Sequence, residues 1–440
     1  MNDPAIAVVR RLAVQVDWDR DVDRVLELVG DAKLVLIGEA SHGTHEFYRV
    51  RADITRALIA HRGFNFVAVE ADWPDAYRAN RWARLMGADA TAEEALADFT
   101  RFPRWMWRNR VVVDFLRWLR DWNATRPERV RTGFYGLDLY SLHRSIECVL
   151  QYLHKVDPDA AHRARRRYSC FDIFGQDVQA YGYATSFGLS RSCEDDVIAQ
   201  LVELRRRAAD YATRDGRIAA DDYFVAEQNA RVVRDAEVYY RAMFRGSAES
   251  WNVRDQHMMS TLESLLAHVS RMNGDARAVV WAHNSHLGDA RATSMAAHGE
   301  LNLGQLTRQR FTDRSRHIGF TTHVGTVTAA SGWDEPAQLM TVRPSLPGSY
   351  ERLFHDAGLP AFVLPMEDPE LRSALEAPRL ERAIGVIYRP DTERASHYFT
   401  ARLPQQFDVV IHIDTTRAVE PLEKWSQHDM DLPETYPTGV

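Results

Sequence analysis

The sequence predicts an α/β protein: a mainly parallel or mixed central sheet flanked by helices, with a large helical insertion. Three observations predict it. Short β-branched apolar runs bounded by polar residues recur along the chain, as buried strands require. The first three alternate with helical stretches, the pattern of a mainly parallel sheet. Between about residues 141 and 272, strand signals give way to charged, Ala/Leu/Arg-rich helical periodicity.

Taken in order, residues 1–140 form the first part of the core, with strands expected at "KLVLIG" (33–38), "FNFVAVE" (64–70) and "TGFYGLD" (132–138). A helix follows the first strand; Thr44 suits its N-cap and Gly63 its C-terminal stop. Residues 141–272 are the insertion or cap, clearest in "DDVIAQLVELRRRAADYATRD" and "DYFVAEQNARVVRDAEVYYRAMF". Residues 273–415 return to the core, with strands expected at "RAVVWAH" (277–283), "RHIGFTTHVG" (316–325), "PAFVLPM" (360–366), "AIGVIYR" (383–389) and "DVVIHID" (408–414). The remainder, 416–440, reads as a loosely held polar tail.

With 440 residues, 45% of them hydrophobic, the chain can bury a large core as one elaborated domain or two. A net charge of −7 argues against nucleic acid or an anionic membrane as partner. No window approaches the roughly 20 apolar residues of a membrane span, and the start does not resemble a signal peptide. Three cysteines, none in a Cys-x-x-Cys pair, cannot build a disulfide framework, so a reduced, cytoplasmic setting is expected. Oligomeric state is not legible.

The chemistry gathers at strand ends. Glu39 follows "KLVLIG", Glu70 ends "FVAVE", Asp138 ends "FYGLD", and His283 and His286 follow "VVWA". The carboxyl edge of a parallel sheet is where ligands bind, because loops diverge there. In "GEASHGTHEF" (38–47), His42 joins Glu39 at this edge. Arg51 lies on the same helical face as Phe47, Ile54 and Leu58, toward the sheet. A buried guanidinium needs a partner, and Glu39 and Glu70 are the carboxylates expected to meet it, unless Arg51 snorkels to the edge of the face.

Several machines are absent: no Gly-x-Ser-x-Gly elbow, no P-loop, no Gly-x-Gly-x-x-Gly after a strand and no His-Glu-x-x-His. Carboxylates and imidazoles without a nucleophile suit direct activation of water, an imidazole taking the proton and a carboxylate orienting it. The pairs His42/His45 and His283/His286, each three residues apart, are weak metal signals. Six tryptophans fall between 73 and 122, suiting either an apolar substrate wall or ordinary packing.

The segments "GEASHGTHEFYRVR", "FVAVEADW", "RFPRWMWRN", "WNVRDQHM", "WAHNSHLGD" and "GELNLGQL" resemble the erythromycin esterase family, in order, over roughly residues 15–415. The resemblance implies a hydrolase that opens an ester or macrolide lactone with water. It implies His42 as general base, with Glu39, Glu70, Arg51 and His283 completing the catalytic group. His286, Trp105, Trp107 and Asp255 are assigned to substrate binding. The expected partner is a small-molecule ester or lactone. No cofactor is expected, and a divalent metal stays open. The alternatives are a metal-dependent hydrolase using the same His/Glu cluster and a non-catalytic, haem-like small-molecule binder.

Overall fold

A computed structural model describes residues 3–212, 217–332 and 335–422. Its strands, in chain order, are β1 (Val14–Gln15), β2 (Leu34–Ile37), β3 (Phe66–Asp72), β4 (Gly133–Asp138), β5 (Ala278–Trp281), β6 (Ser315–Thr321), β7 (Val324–Ala329), β8 (Gln338–Val342), β9 (Ala361–Pro365), β10 (Arg379–Arg382), β11 (Tyr398–Ala401), β12 (Val409–Ile413) and β13 (Thr415–Thr416). Eight of them make the central sheet, in the order β1-β9-β12-β6-β2-β5-β3-β4. From β12 through β4 every neighbouring pair is parallel, while β9 runs antiparallel to both β12 and β1. The sheet is therefore mixed and flanked by helices, the α/β class expected.

The period-2 alternation of each strand sorts its side chains to two cores. Val35, Ile37, Val67, Val69, Val279 and Trp281 share one core with the helices His45–Arg62 and Arg110–Ala124. Leu34, Leu36, Phe66, Ala68, Ala278 and Val280 share the other with Met258, Met259, Leu262 and Leu265 of the helix Ser247–Asn273. Burial on both faces is why β2, β3 and β5 read as unbroken apolar runs. The helices between Leu142 and Ala242 close a further core of their own, which includes Ile146, Val149, Leu201, Val233 and Tyr240. Among the described residues, no helix is long and apolar enough to cross a membrane.

Several sequence expectations are corrected. "RHIGFTTHVG" is two strands, not one: β6 stays in the central sheet, and after Thr322 and His323 the chain enters β7, in a separate sheet of order β13-β7-β8. "AIGVIYR" is not a strand. Its Ile384 and Ile387 are buried, but they make isolated bridges to Ser41 and Ala330, so the apolar character serves packing beneath a loop. β10 lies just before it. The short strands β1, β8, β11 and β13 carry too few buried positions to be seen in sequence. Cys170 and Cys193 form a disulfide, leaving Cys148 free; the reduced chain expected did not include this pair, whose separation of 23 residues gives no spacing signal. Of the segment expected as a tail, residues 423–440 lie outside the described residues. Before them, Val419 is buried, and its backbone N–H donates to the Gly43 carbonyl at 2.8 Å.

Gly43 shows how tightly that region is packed. A Cβ there would stand 1.9 Å from the backbone carbonyl oxygen of Thr328. Backbone cannot swing aside as a side chain tip can. Gly43→Ala is expected to cost about 3 kcal/mol, read as a fall in the urea midpoint at unchanged slope.

Candidate active site

Four neighbouring strands, in the order β2-β5-β3-β4, deliver their chemistry to one edge. β2 ends at Ile37 and releases Glu39 and His42 into a loop. β5 ends at Trp281 and releases His283. Glu70 lies within β3, and Asp138 ends β4. Between Val69 and Asp72 the pairing with β4 gains one residue on the β3 side. Such a bulge re-aims side chains at a sheet edge. It is possible because a Cβ at position 136 of β4 would collide with the Ala71 and Asp72 carbonyls, and Gly136 has none.

The loop of Glu39 and His42 is held by backbone on every side. Asn284 N–H donates to the Glu39 carbonyl at 2.8 Å, Ile384 N–H to Ala40 at 2.9 Å, and His42 N–H to Ile384 at 3.2 Å. Within this frame, His42 Nδ1 meets Glu39 Oε1 at 2.8 Å. The other carboxylate oxygen, Oε2, faces Arg51 Nη2 at 3.1 Å. Arg51 is fully buried, and its guanidinium also packs over the rings of Tyr48 and Trp281. Of the two carboxylates named for Arg51, the contact is with Glu39.

The His283 ring lies beside His42, with centroids 4.9 Å apart and planes 50° to each other. Ser285 N–H donates to His283 Nδ1 at 3.2 Å. Nδ1 is thereby an acceptor, which puts the proton of the neutral ring on Nε2. Nε2 is buried facing the Ala40 carbonyl, without closing a well-formed hydrogen bond among the described residues. Burial, then the neighbouring His42, push the His283 pKa well below its ordinary value, so the ring is neutral. His42 is polarised the opposite way: a carboxylate on Nδ1 requires N–H there and leaves the Nε2 lone pair free.

Glu70 belongs to a second, connected network. Its Oε2 accepts from His283 N–H at 2.9 Å and its Oε1 from Arg254 Nη2 at 2.7 Å. Arg254 also holds Asp138 through Nε at 3.0 Å and Nη2 at 2.6 Å. Its Nη1 lies 3.0 Å from His286 Nε2, and His286 Nδ1 meets Asp255 at 2.9 Å. Burial alone would raise the Glu70 carboxyl, but His286, Arg254, His42 and the His283 N–H outweigh it and hold the carboxyl well below its ordinary value.

A cleft of about 740 Å³, mouth included, opens over these groups. His42, Glu70, Asp72, Asp75, Asp138, Arg101, Tyr140 and Arg254 supply its polar lining; Phe99, Phe102, Pro103, Met106, Trp107 and Val386 supply the apolar wall. Of the residues assigned to substrate binding, Trp107 lies on this wall. Trp105 is buried in the core shared with the helix Arg110–Ala124, and His286 and Asp255 stand behind the lining as the support of Arg254. Asp72, Asp75 and Arg101 were not named from the sequence, although "EADWPD" places both aspartates directly after Glu70. Arg254, within "WNVRDQHM", was likewise not among the residues assigned from the sequence. Asp289 caps the short turn Ala290–Ala292. Among the described residues, no group of three or more His, Cys, Asp or Glu side chains is arranged to hold a metal ion.

A family model described as erythromycin esterase matches residues 59–416. The chain belongs to the erythromycin esterase family. The matched span begins after Glu39, His42 and Arg51, so those three enter the site through geometry. Escherichia coli erythromycin esterase type II is 23% identical over 325 residues, 70% of this chain and 73% of that protein. Escherichia coli erythromycin esterase type I is 25% identical over 315 residues, 68% and 71% of the two chains. The fold matches the crystal structure of a succinoglycan biosynthesis protein with a TM-score of 0.74 at 19% identity, covering 94% of this chain and 97% of that one. It matches an erythromycin esterase mutant, EreC, in its open conformation with a TM-score of 0.68 at 16% identity, covering 96% and 99%. Family membership supports an esterase-like hydrolase acting on a small molecule.

Two tests follow from the Arg254 network. Arg254→Met strands the buried carboxylates of Glu70 and Asp138, and is expected to cost about 3–5 kcal/mol in denaturant unfolding. Glu70 also makes a contribution that depends on pH. Its folded value lies below its ordinary 4.5, so its stabilisation is present above that pH and is lost as the pH falls toward the folded value. Unfolding free energy measured from pH 6 down to pH 3 should therefore fall more steeply for the wild type than for Glu70→Gln.

Proposed function

We propose that this protein hydrolyses a carboxylic ester or macrolide lactone with water activated by His42. The observation that carries this is the opposite polarity of two adjacent rings: His42, on the cleft lining, has a free Nε2 lone pair, and neutral His283, buried beside it, carries its proton on Nε2. In the proposed reaction, water in the cleft gives a proton to His42 Nε2 as its oxygen bonds to the acyl carbon. The carbonyl π electrons move onto oxygen, and His283 Nε2–H hydrogen-bonds to that developing oxyanion. Collapse of the tetrahedral intermediate breaks the bond to the alkoxide, which takes the proton back from His42. Glu39 stabilises the transient imidazolium and holds the ring's tautomer, and Arg51 holds Glu39 in direction. Glu70 acts through the His283 backbone and the Arg254 network, as a positioning residue.

The cleft's size and apolar wall suit a bulky acyl or lactone substrate, and the names of the relatives make erythromycin the first to try. In this proposal the reaction needs no metal, and would confer macrolide resistance where a macrolide is the substrate. The test is mass-spectrometric detection of a water-added product from macrolides and a panel of lactones and esters. His42→Ala should lower turnover by about 10²–10⁴-fold with little change in melting temperature. Turnover at the wild-type rate in that variant would refute the role of His42. Stoichiometric zinc or manganese in protein purified without chelator, together with loss of activity on its removal, would refute the metal-free route.

A further inference from the structure

We propose that Asp75 is a substrate-docking residue: its neutral carboxyl donates a hydrogen bond to an oxygen of the substrate, so the cleft selects esters or lactones carrying a hydroxyl, ether or carbonyl beside the acyl group. This rests on the hydrolase function proposed above and adds to it a recognition group and the ligand chemistry that group accepts.

Asp75 lies in the first turn of the helix Trp73–Ala83, just past the end of β3. It lines the same cleft as His42 and is only 6% exposed. The other carboxylates of the lining each have a guanidinium: Glu70 and Asp138 share Arg254, and Asp72 holds Arg101 at 2.8 Å. Among the described residues, the Asp75 carboxyl makes no hydrogen bond or ion pair. The charged and titratable groups that act on it are Asp72 from the strand end, Arg101 and Asp98 from the segment ahead of the apolar wall, and Arg144 and Cys148 from the helix Leu142–Val156. Arg101 is engaged by Asp72, and Arg144 by Asp98 and Glu147. Of two neighbouring buried carboxyls, the one with the guanidinium ionises and the other keeps its proton. Burial, then the charge of Asp72, push the Asp75 carboxyl up to about 8. A carboxyl neutral at pH 7 offers an O–H donor. Facing the cleft with no acceptor among the described residues, that donor is directed at whatever occupies the space.

The test compares wild type, Asp75→Asn and Asp75→Leu, using erythromycin or whichever ester of the panel is turned over. Wild-type KM should rise about tenfold between pH 7 and pH 9.5 as the donor is lost. Asp75→Leu should raise KM about tenfold at pH 7, with the loss falling on KM rather than kcat. Asp75→Asn keeps an N–H donor and cannot ionise. It should recover most of what Leu loses and flatten the alkaline rise. An Asn variant as weak as Leu would mean that a negative charge recognises a cationic ligand, and would overturn the proposal, as would an unchanged KM in Asp75→Leu. If wild type turns over nothing in the panel, the hydrolase function falls, and a second readout decides Asp75 separately. The infrared difference between ligand-free wild type and Asp75→Asn should show a protonated-carboxyl band persisting above pH 7. Its disappearance by pH 5 would overturn the proposal whatever the kinetics give.

Discussion

One guanidinium ties the polar edge of this protein together. Arg254 is buried, and it reaches from the helix Ser247–Asn273 to Glu70 on β3, Asp138 on β4 and His286 after β5. Removing a charge from water is expensive, and the cost is offset only where geometry satisfies both partners. Here it does: two carboxylates and a ring nitrogen surround one planar fork, and Asp255 steadies the ring from the far side. The buried ions contribute less to net stability than to direction. They set the angle at which Glu70 receives the backbone of His283, and so where the His283 ring stands against His42.

The second constraint is the pairing of Glu39 with both Arg51 and His42. A carboxylate shared between a fixed cation and an imidazole cannot rotate without losing one of them. His42 is therefore presented to the cleft in one tautomer and one orientation, which is what preorganisation of a base requires. The two networks meet at the His42–His283 ring contact.

Much of this was legible from the chain. The central strands could be read because burial on both faces leaves only apolar residues, and their carboxyl ends then pointed to Glu39, Glu70, Asp138 and His283. Arg51 could be read by helical phase, since it falls on the face of Phe47, Ile54 and Leu58. The same signal marks Arg254, on the buried face with Trp251, Met258 and Leu262. What sequence could not decide was whether Arg254 turns to its neighbour Asp255 or out to distant strand ends, because that depends on how a helix far along the chain docks. Trp105 and Trp107 are equally aromatic and two residues apart. Both pack in the core, and only the turn at Arg104–Met106 brings Trp107 to the cleft wall as well. "AIGVIYR" has the composition of a strand, yet its partners are loop residues, and pairing is a property of the fold rather than of the segment. The disulfide is of the same kind: a contact made by helices folding back, with no trace in local spacing.

The closure of the His42 loop has a consequence for biosynthesis. Gly43 accepts hydrogen bonds from Thr328 and from Val419, so the segment that carries His42 is finished by backbone made hundreds of residues later. A chain still being translated can join β2 to β3 and β4 only once β5, which lies between β2 and β3, has been made; from then until the ribosome has released the stretch around 419, it holds an open, incompletely bonded loop. Contacts of such long separation form late and slowly. The nascent protein thus passes through a prolonged stage that is folded in its core and unfinished at its edge, and the loop closes only once the stretch around 419 is free to pack against Gly43.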